Sequence, residues 1–477
     1  MKRISYFQPI SLVLAWFLIV GCGDVTDQVN PSGITAANFY KSAFDADNAI
    51  NACYDAFQNP YRYVIWGDGR ADILASTDRS DNNQLQIVNG NVDANNTETT
   101  WTDMYNAIKR TNSVLKNVPG IQDAALASRK ERILGEAYYL RALAYFYLVR
   151  TYDNVPLIAQ PYESLSQDFY PVQATSTQVF SLVKADLDSA AKRLTDLPFS
   201  TTLENKGKAT LGSVNATLAD YYLWQKKYQE AADAALKVIN GGGGYRLVAG
   251  DSYGTIFTAK NTVESIFEIQ FNNAFLEKSD NGAKNTNSLV SQFLPLGGTG
   301  YTGGNWSFKP APKLINAFSS GDKRISITFQ NTGTSPAPYR DVNVSYTNKY
   351  QGTLANGNAT RNSDNNMIIY RLADVILMRA EALNELGQLA DAILLLNQIR
   401  VRAGLTNTTA TTQADVRLAI EDERYRELAF EGKRYYDLKR TGRYAAVTGN
   451  TEPNWLRWPL NSVDLIYNPN LKQNSGY

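Results

Sequence analysis

Glu423 and Glu427 stand one helical turn apart within residues 413–442, on a stripe shared with Val416, Ala419, Ile420 and Phe430. Two carboxylates so placed are candidates for glycoside hydrolysis, because a retaining glycosidase holds its pair about 5 to 5.5 Å apart. Their surroundings point to another use. Arg424, Arg426, Arg434 and Arg440 offer planar guanidinium forks close in sequence, and a buried carboxylate left unpaired is strongly destabilising. The run ERYRELAFEGKRYYDLKRTG, from Glu423 onward, therefore reads as a structural ion-pair network of Glu423, Arg424, Glu427, Glu431, Arg434 and Asp437, with no catalytic residue. The chain contains no histidine, which removes the commonest general base, the commonest metal ligand and every Ser-His or Cys-His dyad. No metal-ligand cluster, nucleophile elbow or cofactor motif is present in the sequence, so no metal and no cofactor are expected.

Binding is a different chemistry, and it needs rings near solvent with polar neighbours. Trp66, Tyr301 and Trp306 lie in two long aperiodic segments, with Asp68, Arg70 and Asn305 beside them. A sugar packs its axial C–H face on an indole or phenol ring while amide and carboxylate groups take its hydroxyls, so these six are candidate ligand contacts and the rings are expected to be exposed. Trp101 joins them, although it also begins a helical stripe with Tyr105 and Ile108.

The remaining chemistry is at the start of the chain. Lys2 and Arg3 precede an apolar run over residues 10–20, too short to span a bilayer but suited to the core of a secretory signal. The run ends Ile19-Val20-Gly21-Cys22, which looks like a bacterial lipobox, and Cys22 is the expected lipidation site. Residues 1–21 are then the signal peptide and 22–34 a lipidated tether. Cys53, the other of the two cysteines, reads as a small buried hydrophobe.

The elements that must position these groups are mainly helical. Periodicity marks a first helix through Ala46, Ile50 and Cys53, a second from Trp101 to Val118, an aromatic third over 129–152 and a fourth through Val179, Val183 and Leu187. The segment Gln225-Lys226-Lys227-Tyr228 and its alanine-rich continuation align with Leu386-Gly387-Gln388-Leu389 and theirs, like the turns of two tetratricopeptide hairpins set far apart. Between them residues 241–366, rich in Gly, Asn, Ser and Thr, read as a loop-rich insert with short strands such as VESIFEIQF. Residues 61–100 read as a long loop. The expected fold is mainly α: a tetratricopeptide-like helical hairpin scaffold, an α-α superhelix, over 35–240 and 367–442, the insert over 241–366 and a tail over 443–477, all one domain of 35–477. A net charge of +1 from 47 basic and 46 acidic residues gives no field for nucleic acid.

Several of these stretches together resemble one family. FYKSAFDADNAINACYDAF, EAYYLRALAYFYLVRTYDNVPL, Arg371-Leu372-Ala373-Asp374, Arg379-Ala380-Glu381-Ala382-Leu383, the 423–442 signature and the ending at Tyr477 look like SusD/RagB surface nutrient-binding lipoproteins, in order along nearly the whole mature chain. The resemblance implies a lipid-anchored protein on the outer face of the outer membrane that captures an oligosaccharide or polysaccharide and passes it to a SusC-like TonB-dependent transporter, breaking no bond. A peptide ligand, a surface glycosidase and a protein-binding scaffold are the alternatives it leaves.

Overall fold

The structure is a computed structural model that describes residues 36–164, 166–272, 278–279, 282–283, 288–295, 304–331, 344–354 and 361–477. Cys22, the signal and tether segments and Tyr301 lie outside the described residues.

Helices account for most of the described chain. The principal ones are α1 (Ala43–Asp55), α2 (Pro60–Asp68), α3 (Thr102–Asn117), α4 (Lys130–Tyr152), α5 (Ser176–Ala191), α6 (Leu211–Trp224), α7 (Tyr228–Ile239), α8 (Leu372–Glu385), α9 (Leu389–Arg402), α10 (Gln413–Glu427) and α11 (Arg434–Thr441). Side-chain oxygens set many of their starts: Ser42, Thr175 and Thr210 each close a reciprocal capping box with the residue three positions on. Neighbours in the stack run α3 on α4, α4 on α5, α5 on α6, α6 on α7, α7 on α8, and α8 on both α9 and α10. This is the superhelix of hairpins expected from the pattern, with α4 buried along almost its whole length. Its alternation of Ala137, Ala142 and Ala144 with Tyr139, Tyr145 and Phe146 lets helices approach closely from several sides.

The two hairpin turns that align in sequence share a backbone conformation. Lys226 (φ 56) and Gly387 (φ 77) occupy the same position between α6 and α7 and between α8 and α9, both left-handed.

The segment between α7 and α8 leaves and rejoins the helical stack at one place. Strands β2 (Ser265–Ile269) and β4 (Met367–Arg371) pair antiparallel with every residue buried, and β4 runs directly into α8, whose Leu372 N–H donates to the Glu264 carbonyl. A second pair, β1 (Leu74–Ser76) with β3 (Phe308–Pro310), ties the segment to the N-terminal part of the chain. Each sheet among the described residues has two strands.

Two expectations require correction. Residues 61–100 are not one loop: α2, a helix over Asn82–Asn89 and a short 3-10 turn over Thr97–Thr99 lie within them. Eight of the nine α2 residues are buried, so the helix has no polar face to produce a 3.6-residue period. The 413–442 stretch is two helices and not one, because α10 stops at Glu427 and Phe430 takes φ 66 and Gly432 φ 71 before α11 starts. Phe430 thus leaves the stripe on which Glu423 and Glu427 lie. Gly432 has a steric reason as well: a Cβ there would meet the Tyr63 carbonyl oxygen at 2.4 Å, since α2 crosses the break backbone to backbone.

Candidate functional site

The C-terminal end of α10 sends Glu423 and Glu427 inward, where four buried cations meet five buried carboxylates. Arg324 Nη1 donates to Glu423 at 2.6 Å and to Glu427 at 2.9 Å, while its other nitrogens bind Asp322. Arg371, the last residue of β4, donates to Glu264 at 2.8 Å, to Glu427 at 2.5 Å and in a two-pronged contact to Glu431 at 2.8 Å. Arg402, at the end of α9, closes on Glu427 and Glu264, and Lys349 on Glu431. Burial alone would raise the Glu427 carboxyl, but Arg402, Arg371 and Arg324 outweigh it and hold it well below its usual range. Glu423 and Glu431 are lowered against the same penalty, the first by Arg324 and Arg426, the second by Arg371 and Lys349.

The partners differ from those nearest in sequence. Of the four neighbouring arginines only Arg426 reaches Glu423. Arg424 turns to Asp374 and Asp437, Arg440 to Glu381 and Asp437, and Arg434 to Asp72. Glu427 draws its cations instead from Arg324, Arg371 and Arg402, more than twenty residues away in each case. Glu264, Asp322, Arg324 and Lys349 come from the segment between α7 and β4, so the network bolts that segment onto α9 and α10. Glu423 and Glu427 share one guanidinium nitrogen, which puts them within the spacing of a glycosidase pair, yet both side chains have 0% exposure. A substrate has no path to them.

The segments expected to build a ligand surface are brought together, but their rings point inward. Pairing of β1 with β3 sets the 77–80 turn against residues 305–309: Thr77 Oγ1 donates to the Trp306 carbonyl at 2.6 Å and Ser80 Oγ to the Ser307 carbonyl at 2.6 Å, while Gln84 Nε2 reaches Gln292 Oε1 of the short helix Ser288–Phe293 at 3.0 Å. Trp306 is fully buried with φ 49, its indole N–H donating to the Ser345 carbonyl at 2.8 Å. Trp66 is fully buried too, donating to the Glu98 carbonyl and standing edge-on to Tyr152 at 5.5 Å. The expectation of exposed rings at these two positions does not hold. Each indole has an apolar body to hide and a single N–H that a backbone carbonyl satisfies.

Asp68 and Arg70 are likewise enclosed. The Asp68 carboxylate accepts from the backbone N–H groups of Gly432, Lys433 and Arg434 at 2.9 to 3.1 Å, capping the start of α11 from another part of the chain. Burial pushes its carboxyl up to about 7 against the pull of those three donors. Arg70 lies between the rings of Trp455 and Trp458, at 5.4 and 5.5 Å, and donates to the Arg457 carbonyl at 2.6 Å, which fastens the tail. Asn305 is half-buried and donates to Ser307 Oγ at 2.6 Å. Trp101 has 6% exposure and sits edge-on to Tyr105 and Tyr152. Its edge lines an open furrow.

What this face offers a ligand is therefore polar. Asp78, Arg79, Asp81 and Asn82 are exposed on the turn that docks over Trp306 and Ser307, and Asn83 and Lys309 are half-buried beside them. The sequence reading does not include Arg79, although a cation beside Asp78 in a turn is a signal that marks it, or Lys309, which stands in strand β3 with no such signal. Among the described residues no group of carboxylates and thiols is arranged to hold a metal ion.

Comparison with known proteins places this geometry. Residues 38–223 match the family model described as starch-binding, associating with the outer membrane, and residues 326–454 match that of the SusD family. A SusD-like protein of Formosa agariphila is 27% identical, with 99% of each chain covered. The starch-binding protein SusD of Bacteroides thetaiotaomicron is 24% identical over 83% of this chain and 81% of its own. Among solved structures, a laminarin-binding SusD-like protein superposes with a TM-score of 0.80 at 28% identity, covering 92% of this chain and 100% of that one.

Proposed function

From the premise that the chain belongs to the SusD family, whose members bind glycans and associate with the outer membrane, we propose that it is a non-catalytic surface lipoprotein. It captures a neutral glucan and delivers it to a SusC-like TonB-dependent transporter. The observation that carries the reading is the end-to-end likeness to a laminarin-binding SusD-like protein, TM-score 0.80 at 28% identity. Starch, named for the Bacteroides thetaiotaomicron relative, and laminarin are both uncharged glucose polymers, which is the shared chemistry assigned here.

Three features support it. Glu423 and Glu427, the paired carboxylates at catalytic spacing in the signature stretch, are closed to solvent and neutralised by arginine. The exposed face made by residues 77–84 and 305–309 holds carboxylate, amide and cationic groups that exchange hydrogen bonds with sugar hydroxyls. The Ile19-Val20-Gly21-Cys22 sequence supplies the thiol for a lipid. Isothermal titration of the soluble chain with laminarin and starch oligosaccharides tests the binding. Heat from at least one, with no new reducing ends, is the expected result; no binding to either refutes the assignment. Fractionation of a Cys22→Ala variant tests the anchor, which is wrong if that protein still partitions into the outer membrane carrying fatty acid.

A further inference from the structure

Large apolar side chains are scarce on the surface of the described residues, and seven of them gather where two segments meet. Tyr162, Phe169, Tyr170 and Val172 precede α5, and Val463, Ile466 and Tyr467 belong to a short helix (Ser462–Tyr467) near the C-terminus. Tyr162 and Phe169 stack at 5.1 Å with an interplanar angle of 22°, and they keep 37% and 46% of their surface exposed. Tyr467 keeps 74%.

Beneath these rings the surface is furrowed. Two adjoining cavities of about 270 and 220 Å³ share Trp101, Tyr105, Ile158, Tyr162 and Asp464 as lining, so they form one continuous groove; Phe169 and Tyr467 line its second half. Its walls are built and not merely apposed. Asn468 Nδ2 donates to the Pro171 carbonyl at 2.9 Å and Asn470 Nδ2 to the Tyr170 carbonyl at 2.6 Å, which ties the tail to the ring-bearing segment. Tyr105 Oη donates to the Pro156 carbonyl at 2.7 Å, and the Tyr145 hydroxyl bonds both the N–H and the carbonyl of Ile158. The backbone on both sides of the furrow is thereby fixed before a ligand arrives.

We propose that this furrow is a carbohydrate subsite that takes a stretch of a neutral pyranose chain on Tyr162, Phe169 and Tyr467, separate from the face built by residues 77–84 and 305–309. It rests on the reading of the protein as a glucan-capturing one and adds where a second part of a long chain is held. Shape decides for a sugar over a protein partner: a furrow with aromatic lips accepts a narrow ligand with apolar faces, whereas a protein docks on broader, flatter ground. Charge decides for a neutral ligand. The lining includes one cation, Lys109, and one carboxylate, Asp464, so no field favours an acidic polysaccharide. Asn106, Gln160 and Asn468 also line the furrow and supply amide partners for hydroxyls, and one Asp464 carboxylate oxygen has no hydrogen-bond partner within the protein.

The test uses the whole mature chain, with laminarihexaose and maltohexaose as neutral probes and an oligogalacturonate as the acidic one. The double variant Tyr162→Ala/Phe169→Ala and the single variant Tyr467→Ala remove exposed rings and should melt as the wild type does. Leu394→Ala, on an exposed position of α9 (68% exposed), is the control. The expected result is wild-type binding to a neutral probe, weakened about tenfold in the double variant and severalfold in Tyr467→Ala, with no change in Leu394→Ala. Wild-type binding that both ring variants retain in full overturns the subsite while leaving the glucan reading intact, and so does a preference for the acidic probe. Unchanged glycan affinity together with lost cross-linking to a transporter in the membrane overturns it in favour of a protein-docking surface. Failure of the wild type to bind either neutral probe overturns both readings.

Discussion

Replacing Glu427 by alanine removes one carboxylate from a place where three guanidinium groups converge. Arg324, Arg371 and Arg402 each donate to it, at 2.9, 2.5 and 2.5 Å, and the side chain has no exposure. Charge-assisted bonds contribute roughly 1.5 to 3 kcal/mol each when a partner is deleted, so three bonds set an upper bound that the network does not reach. Arg324 retains Asp322 and Glu423, Arg371 retains Glu264 and Glu431, and Arg402 retains Glu264. The surplus of positive charge left in the core then costs about 3 to 5 kcal/mol. For a cooperative unit of roughly 440 residues that loss lowers Tm by only about 3 to 5 °C, because the unfolding entropy is large. Urea titration followed by circular dichroism is therefore the sharper assay, and Glu427→Gln, which keeps the shape, should recover only part of the loss. The deficit should persist in 1 M salt, since buried pairs are little screened. A Glu427→Ala protein with the wild-type urea midpoint refutes the reasoning, and if glycan cleavage were present in the wild type and lost in that variant, the carboxylate would be catalytic after all.

Acid should unfold the protein through the same network. Glu423, Glu427 and Glu431 have folded values lowered below their ordinary ones, so the stability they supply is complete above about pH 5 and is lost as pH falls towards the lowered values; urea midpoints between pH 6 and pH 3 give the slope. Trp306→Ala and Trp66→Ala should each cost about 3 to 5 kcal/mol, visible in melting before any binding is measured, because both rings are fully enclosed. Lys226→Gly should stabilise by about 0.5 to 1 kcal/mol, since glycine is at ease at φ 56 where lysine is strained; an unchanged or lower midpoint would refute it.

The helical scaffold was legible because its evidence is local. Apolar residues at 3.6-residue spacing and the matching turns at Lys226 and Gly387 lie within a few positions of what they control. The rings misled for the converse reason. Trp66 stands in a helix buried all round, which has no period to read, and Trp306 in an irregular stretch just before β3, its indole bonded to Ser345, 39 positions on. Aperiodicity marks a surface loop, but it equally marks a segment with core on every side. Tyr162, Phe169 and Tyr467, which are exposed, lie among Ser, Gln, Asp, Pro and Asn, and no pattern in the sequence singles them out.

The ion-pair network follows the same division between local and distant information. That Glu423 and Glu427 needed cations followed from their place on an apolar stripe, but their partners could not be read from proximity, because α10 ends at Glu427 and directs the following arginines elsewhere. The choice of partner has a structural consequence. Pairing with Arg424 or Arg434 would have tied α10 only to its neighbours, whereas pairing with Arg324, Arg371 and Arg402 makes one carboxylate the junction of α9, β4 and the segment from which Arg324 comes. Asp68 does the same work from the other side, fixing α2 to the start of α11 through three backbone donors. The strand pair that carries the exposed polar face then starts six residues after Asp68, at Leu74. The charged core therefore sets where two loop-bearing parts of the chain stand relative to the helical stack. A surface made of loops can hold its shape in water because the segments that bear it are clamped by buried charge beneath it.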